Sequence, residues 1–231
     1  MSPYEEDFSE LIEWKAELLS AYGLSGQRIV DLGCAVGVLP AGLARDNEVV
    51  GVDRDPQALG EAERRGWQTR RVDLNGEAAV PEPDGSFDVA LALDVLEHLA
   101  DPLAVLRELW RLLRPQGLLF VSVPNGLNMV NRCLALAGSP LDITDVHHRR
   151  GRPLSDHLHR FTRHTFAAAL RVEGFEILRT ESFLPRRVSH RRLRPLQPLL
   201  GLARGLGLQA RLPDLFAFTF LCVCRKAGAR G

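Results

Sequence analysis

The residues best suited to chemistry fall in two tight clusters and one separate segment. The first cluster is Asp31, Gly33, Cys34, Ala35 and Gly37, followed by Asp53. Gly33 and Gly37 permit a sharp turn and let backbone approach a ligand where a Cβ would collide. An acid at the end of the next strand run, as Asp53 is, accepts hydrogen bonds from both hydroxyls of a ribose. The glycine spacing is not that of the dinucleotide fingerprint, which needs glycines at 33, 35 and 38, where this chain has Gly33, Ala35 and Val38. The second cluster is Asp94, Glu97 and His98, and the separate segment carries His157, with His147 and His148 before it. Histidine changes charge near neutral pH, so His98 and His157 are the candidates for moving a proton.

These residues need elements to hold them. Ile29 to Leu32 reads as a buried parallel strand, and from Val38 the apolar spacing becomes helical. Glu48 to Val52 is a second strand, so the order is strand, glycine turn, helix, strand and acid, the layout of a nucleoside-binding βαβ unit. Tyr4 to Tyr22 predicts an amphipathic helix ahead of this unit. Asp55 to Arg65 predicts a helix with Pro56 in its first turn. Strands are expected at Trp67 to Val72, Phe87 to Leu91, Leu118 to Val123, Phe175 to Thr180 and Leu215 to Arg225. Helices are expected at Leu103 to Leu113, Leu127 to Ala137 and Arg163 to Glu173, and a helix-like apolar stretch at Leu196 to Leu208.

The loop Asp31, Gly33, Ala35, Gly37 resembles the Asp-x-Gly-x-Gly-x-Gly loop of class I S-adenosylmethionine-dependent methyltransferases, with alanine at the middle glycine. FDVALALDVLEHLADP followed by LRPQGLLFVSVPN resembles the type-11 and type-12 small-molecule group, including the O-methyltransferases of quinone synthesis. The likeness is close over about 28–125 and looser over 156–180, where Asp156 to Thr162 resembles a His-Leu-x-x-Phe-Thr segment with His157 at the matching position. It implies a Rossmann-like α/β fold: a seven-stranded, mostly parallel sheet with helices on both faces, an antiparallel last strand, and a lid insertion after strand 5. It implies S-adenosyl-L-methionine as cofactor and S-adenosyl-L-homocysteine as product. The implied cofactor contacts are Asp31, Gly33, Cys34, Ala35, Gly37, Asp53, Arg54, Asp73, Leu74 and Leu93, with Asp73 facing the adenine amino group. Some quinone-pathway relatives hold a divalent cation with an acid-x-x-Glu-His pattern, which Asp94, Glu97 and His98 match on one expected helical face. No further ligand is visible, and the sequence assigns no metal.

The chain divides into an N-terminal helix (1–25), a cofactor-binding core (26–125), a substrate lid (126–160) and the rest of the core (161–231) with a basic and apolar excursion at 186–210. Net charge is zero, yet residues 1–125 carry 22 acidic against 11 basic side chains and residues 126–231 carry 7 against 18. The two parts therefore have different tasks. The four cysteines have no metal or redox spacing, and Cys222 and Cys224 fall on one face of a strand. No leader or membrane-spanning run is visible, which predicts a cytoplasmic protein. Arg186 to Arg194 followed by Leu196 to Leu208 suits an anionic substrate, a nucleic acid or peripheral contact with the inner face of a membrane. No aromatics interleave these arginines, which disfavours RNA. The expected function is methyl transfer to a small or lipid-like acceptor, with hydroxyl as the expected group. The alternatives are an interaction module that has lost the cofactor, kept open by Ala35, and a nucleic-acid methyltransferase. Ala35 is tolerable if its backbone angles stay negative.

Overall fold

The computed structural model describes residues 3–37, 41–76, 79–136, 138, 157–186 and 197–228. Seven strands form one sheet: β1 (Arg28–Leu32), β2 (Glu48–Asp53), β3 (Gln68–Arg71), β4 (Phe87–Leu93), β5 (Leu113–Pro124), β6 (Phe175–Phe183) and β7 (Thr219–Lys226). Their order is β3-β2-β1-β4-β5-β7-β6. β1 to β5 run parallel, and β7 enters antiparallel between β5 and β6. This is the expected seven-stranded sheet. The order reverses between β1 and β4, so a crevice opens at their C-terminal ends, where open α/β sheets hold ligands.

The helices are α1 (Pro3–Ser20), α2 (Ala41–Asp46), α3 (Pro56–Arg64), α4 (Pro102–Leu112), α5 (Met129–Leu136), α6 (Arg163–Val172), α7 (Gln197–Gly205), α8 (Leu208–Arg211) and α9 (Pro213–Phe216), with a 3₁₀ turn at Leu96–His98. Alternation along each strand sends side chains to two apolar layers. Val30 and Leu32 of β1 pack with Leu106 and Leu109 of α4 and Phe166 and Leu170 of α6. Ile29 packs with Leu19 of α1, Leu43 of α2 and Leu59 of α3 on the other layer. Each fully buried leucine here contributes about 2 kcal/mol relative to exposure. Local chemistry starts the helices: Asp55 Oδ1 accepts from Gln57 N at 2.9 Å ahead of α3, and Asp101 Oδ1 from Ala104 N at 3.0 Å ahead of α4. Proline follows both caps, at positions where no amide hydrogen is needed.

Three expectations change. β4 runs on to Leu93, two residues beyond the expected end. β5 starts at Leu113 rather than Leu118, with an irregularity where the register jumps from Phe87↔Leu113 to Val89↔Leu118. The last strand starts at Thr219 rather than Leu215, because Pro213 opens a helical turn over Pro213–Phe216. Of the insertion after β5, α5 and residues 157–160 are described; 139–156, with His147 and His148, and 187–196, with most of the arginine run, lie outside the described residues. Cys222 and Cys224 are both buried in β7.

Candidate active site

The glycine turn docks on the end of β2. Gly33 N and Cys34 N both donate to Val52 O, at 2.8 and 3.1 Å, and Ala35 N donates to Asp53 Oδ2 at 3.0 Å. Asp53 Oδ1 takes Asp55 N at 3.0 Å. The Asp53 carboxylate is thus oriented by two backbone amides and stays partly exposed at the strand end. Gly33 has φ +72, and a Cβ there would lie 2.4 Å from Cγ2 of Val95, so only glycine fits this approach of the β1 and β4 turns. Ala35 does not meet the condition under which alanine is tolerated without strain: its φ is +45, in the left-handed region. That conformation costs an L-residue about 1–2 kcal/mol. The hydrogen bond that the Ala35 N–H donates to Asp53 Oδ2 helps to hold it there.

Asp31 is 5% exposed, and burial pushes its carboxyl up to about 8, with the Asp53 charge adding and Lys15 opposing. Burial likewise raises the Cys34 thiol, with Asp31 and Asp53 adding, so Cys34 is a neutral packing group. Lys15 of α1 was not anticipated. It is 7% exposed and pairs with Asp94. Asp94 Oδ1 also accepts the Ser122 hydroxyl at 2.7 Å, and Asp94 N donates to Ser122 O at 3.1 Å. Burial would raise the Asp94 carboxyl, but Lys15, Ser122 and His98 outweigh it and hold it below its ordinary value. Leu11, Lys15 and Leu19 lie four apart, and all three are buried. A lysine on that stripe was the available signal.

Asp94 has φ +56 and ends β4 rather than starting a helix. It therefore does not share a helical face with Glu97 and His98, and its carboxylate is committed to Lys15 and Ser122. His157 takes its place beside them. The His98 and His157 rings stack edge to face with centroids 4.8 Å apart. Leu158 N and His159 N both donate to Glu97 O, at 2.7 and 3.1 Å, which fastens this segment to the β4 turn. Among the described residues, Glu97, His98 and His157 form a group whose potential ligand atoms lie within 4.8 Å of one another. One carboxylate and two imidazoles suit a borderline divalent cation.

The remaining expected contacts follow the C-terminal ends of the strands. Arg54 is exposed after β2; Asp73 is exposed after β3, with Oδ1 accepting Asn75 N at 3.0 Å; Leu74 packs partly into the core. Leu93 is partly buried at the end of β4, opposite Ser122 of β5. Asn125, 1% exposed, was also missed. Its Nδ2 donates to Ala217 O at 2.9 Å and Asp214 O at 3.3 Å, tying β5 to α9.

A family model described as a methyltransferase domain matches residues 4–180. Over 108 residues the chain is 34% identical to a ubiquinone biosynthesis O-methyltransferase of Aeromonas salmonicida, covering 45% of each chain. Over 109 residues it is 36% identical to one from Marinobacter nauticus, covering 44% of this chain and 46% of the other. The chain thus spans about half the length of the curated relatives it matches. In fold it is similar to a putative methyltransferase of Haloferax volcanii, crystallised with the Trm112 methyltransferase activator, at TM-score 0.66, 16% identity and coverage of 98% and 95%. It is also similar to the [4+2]-cyclase SpnF, at TM-score 0.61, 22% identity and coverage of 93% and 81%. With a glycine turn, a strand-end aspartate and a domain match over most of its length, the chain belongs to the S-adenosylmethionine-dependent methyltransferase family.

Proposed function

We propose that the protein transfers the methyl group of S-adenosylmethionine to a hydroxyl of a small or lipid-like acceptor. The observation that carries this is the meeting of His98 and His157, 59 positions apart in the chain, at the mouth of the crevice between β1 and β4. Support for a hydroxyl acceptor comes from the partial likeness to the ubiquinone O-methyltransferases. The cofactor fits this crevice: the turn at Gly33 and Ala35 presents backbone, Asp53 offers a ribose acceptor, and Asp73 and Leu74 lie at the next strand end for adenine. When bound, S-adenosylmethionine supplies a methyl group on a cationic sulfur, and the electron pair of the broken bond returns to sulfur. Asp94, kept ionised by Lys15 and Ser122, places negative charge beside that cation. His98 or His157 takes the proton as the acceptor oxygen attacks the methyl carbon in line.

A second reading adds a divalent cation held by Glu97, His98 and His157. It is favoured by the convergence of those donors. Such an ion would acidify an acceptor hydroxyl placed against it. The acceptor expectation also includes a peripheral membrane contact through 186–208.

The test is transfer of labelled methyl to a panel of phenolic and lipid-like hydroxyls. Activity on a hydroxyl acceptor that falls by about a hundredfold in His98→Gln or His157→Gln supports the base assignment. Full activity in both variants overturns it. Loss of activity on treatment with a chelator, restored by a divalent ion, selects the metal reading.

A further inference from the structure

α7 is leucine-rich on both of its sides. Leu200 and Ala203, 2% and 1% exposed, pack under it with Leu184, against Leu208, Phe216 and Phe218. The opposite side carries Leu199 and Leu202, with Leu206 just past the last residue of α7, and these are 48%, 60% and 51% exposed. These three are spaced by three and four residues, so they form one outward stripe. Leu212, 49% exposed, follows α8. A helix that had only to cover the core would present polar residues on its outer side.

Charge says what meets this stripe. From residue 184 to 213 the sequence carries seven arginines and no aspartate or glutamate. Arg204 and Arg211 close α7 and α8. An apolar stripe inside an acid-free, arginine-rich stretch is the composition of a helix lying in the headgroup region of an anionic bilayer. The place in the fold also fits. Asn125, at the C-terminal end of β5, bonds to Asp214 O and Ala217 O, and it bridges to Phe161 four residues after His157. The stripe thus sits on elements anchored to the end of the sheet where the histidine pair lies.

We propose that the outward side of α7, with Leu212, docks the protein on an anionic phospholipid surface. Its consequence, delivery of a membrane-dissolved acceptor, rests on the lipid-like reading above; the docking itself does not. Binding is therefore measured without cofactor or acceptor, and failed docking leaves methyl transfer standing.

The experiment is co-sedimentation with vesicles of phosphatidylglycerol and phosphatidylcholine, or of phosphatidylcholine alone, for the full chain and for Leu202→Asp/Leu206→Asp. Thermal unfolding confirms that the variant folds. Wild type is expected to pellet with the anionic vesicles and to be released by high salt, and the variant to bind at least about tenfold more weakly. Wild type that stays in the supernatant, or a folded variant that binds equally well, overturns the proposal. A wild-type dimer that the variant converts to monomer, with no vesicle binding by either, also overturns it and assigns the stripe to a second copy of the chain.

Discussion

The acidic strand ends, where the cofactor site is proposed, and the basic C-terminal excursion solve opposite problems. At the cofactor end, Asp31, Asp53 and Asp94 are gathered at adjoining strand ends, and one buried lysine faces them from α1. Charge there is drawn inward and held by backbone amides, Ser122 and Lys15. In the excursion, arginines are spread along 184–213 with no acid among them, and Leu199 and Leu202 of α7, with Leu206 just after it, face outward. One region stores electrostatic tension inside the fold, while the other leaves leucine side chains facing outward. Substitutions in the first should therefore move stability and cofactor binding together. Substitutions in the second should leave the fold alone and move only partition to a surface.

Asp31→Asn gives the largest expected change. The folded state holds the Asp31 carboxyl at about 8 against an ordinary 3.8, so between these values the folded chain keeps a proton that the unfolded chain has lost. Stability from this group therefore falls as pH rises from about 4 to 8 and is constant above that. Asn removes the effect, so the variant gains on the order of 5 kcal/mol near pH 8.5 and nothing near pH 4, while binding S-adenosylmethionine more weakly. Denaturant melts at the two pH values check this. Equal gains at both would break the picture of stored charge.

Lys15→Met comes next. It strands the Asp94 carboxylate, and because Asp94 is partly exposed the expected loss is about 2 kcal/mol. Adding Asp94→Asn should recover most of it. A single variant as stable as wild type would move Lys15 to the surface, where the comparison has no place for it.

These two residues also mark where sequence reading stopped. Gly33, Gly37 and Asp53 were legible because a glycine turn and a strand-end acid are local chemistry. Lys15 was not, since a lysine between Glu13 and Glu17 reads as solvated until the stripe Leu11, Lys15, Leu19 is docked on the sheet. Asp94 was assigned to a helical face because residues 94, 97 and 98 have helical spacing; its φ of +56 turns it toward Lys15 instead. His98 and His157 were each picked out, but their meeting depends on Leu158 and His159 bonding to Glu97 O, a pairing no local pattern encodes. Leu215 to Phe218 looked like strand because four apolar residues outweighed the Pro213 signal for a helical start.

Smaller effects refine the contrast. Ala35→Gly should relieve the left-handed alanine and stabilise the fold by on the order of 0.5–1 kcal/mol, after the flexibility glycine adds to the unfolded chain. A loss on that change would show that the Ala35 methyl packs usefully. Leu202→Ser should change stability by no more than about 0.5 kcal/mol, because its side chain already faces outward. A loss well above that would mean the α7 stripe is covered within the chain itself.

The most direct test is calorimetric titration of S-adenosylmethionine and S-adenosylhomocysteine into wild type and Asp53→Ala. The cofactor site proposed at the glycine turn and Asp53 predicts one-to-one binding in the micromolar range, weakened at least about a hundredfold when the Asp53 carboxylate is removed. A folded wild type that binds neither ligand, or an Asp53→Ala protein that binds both as well as wild type, would contradict it.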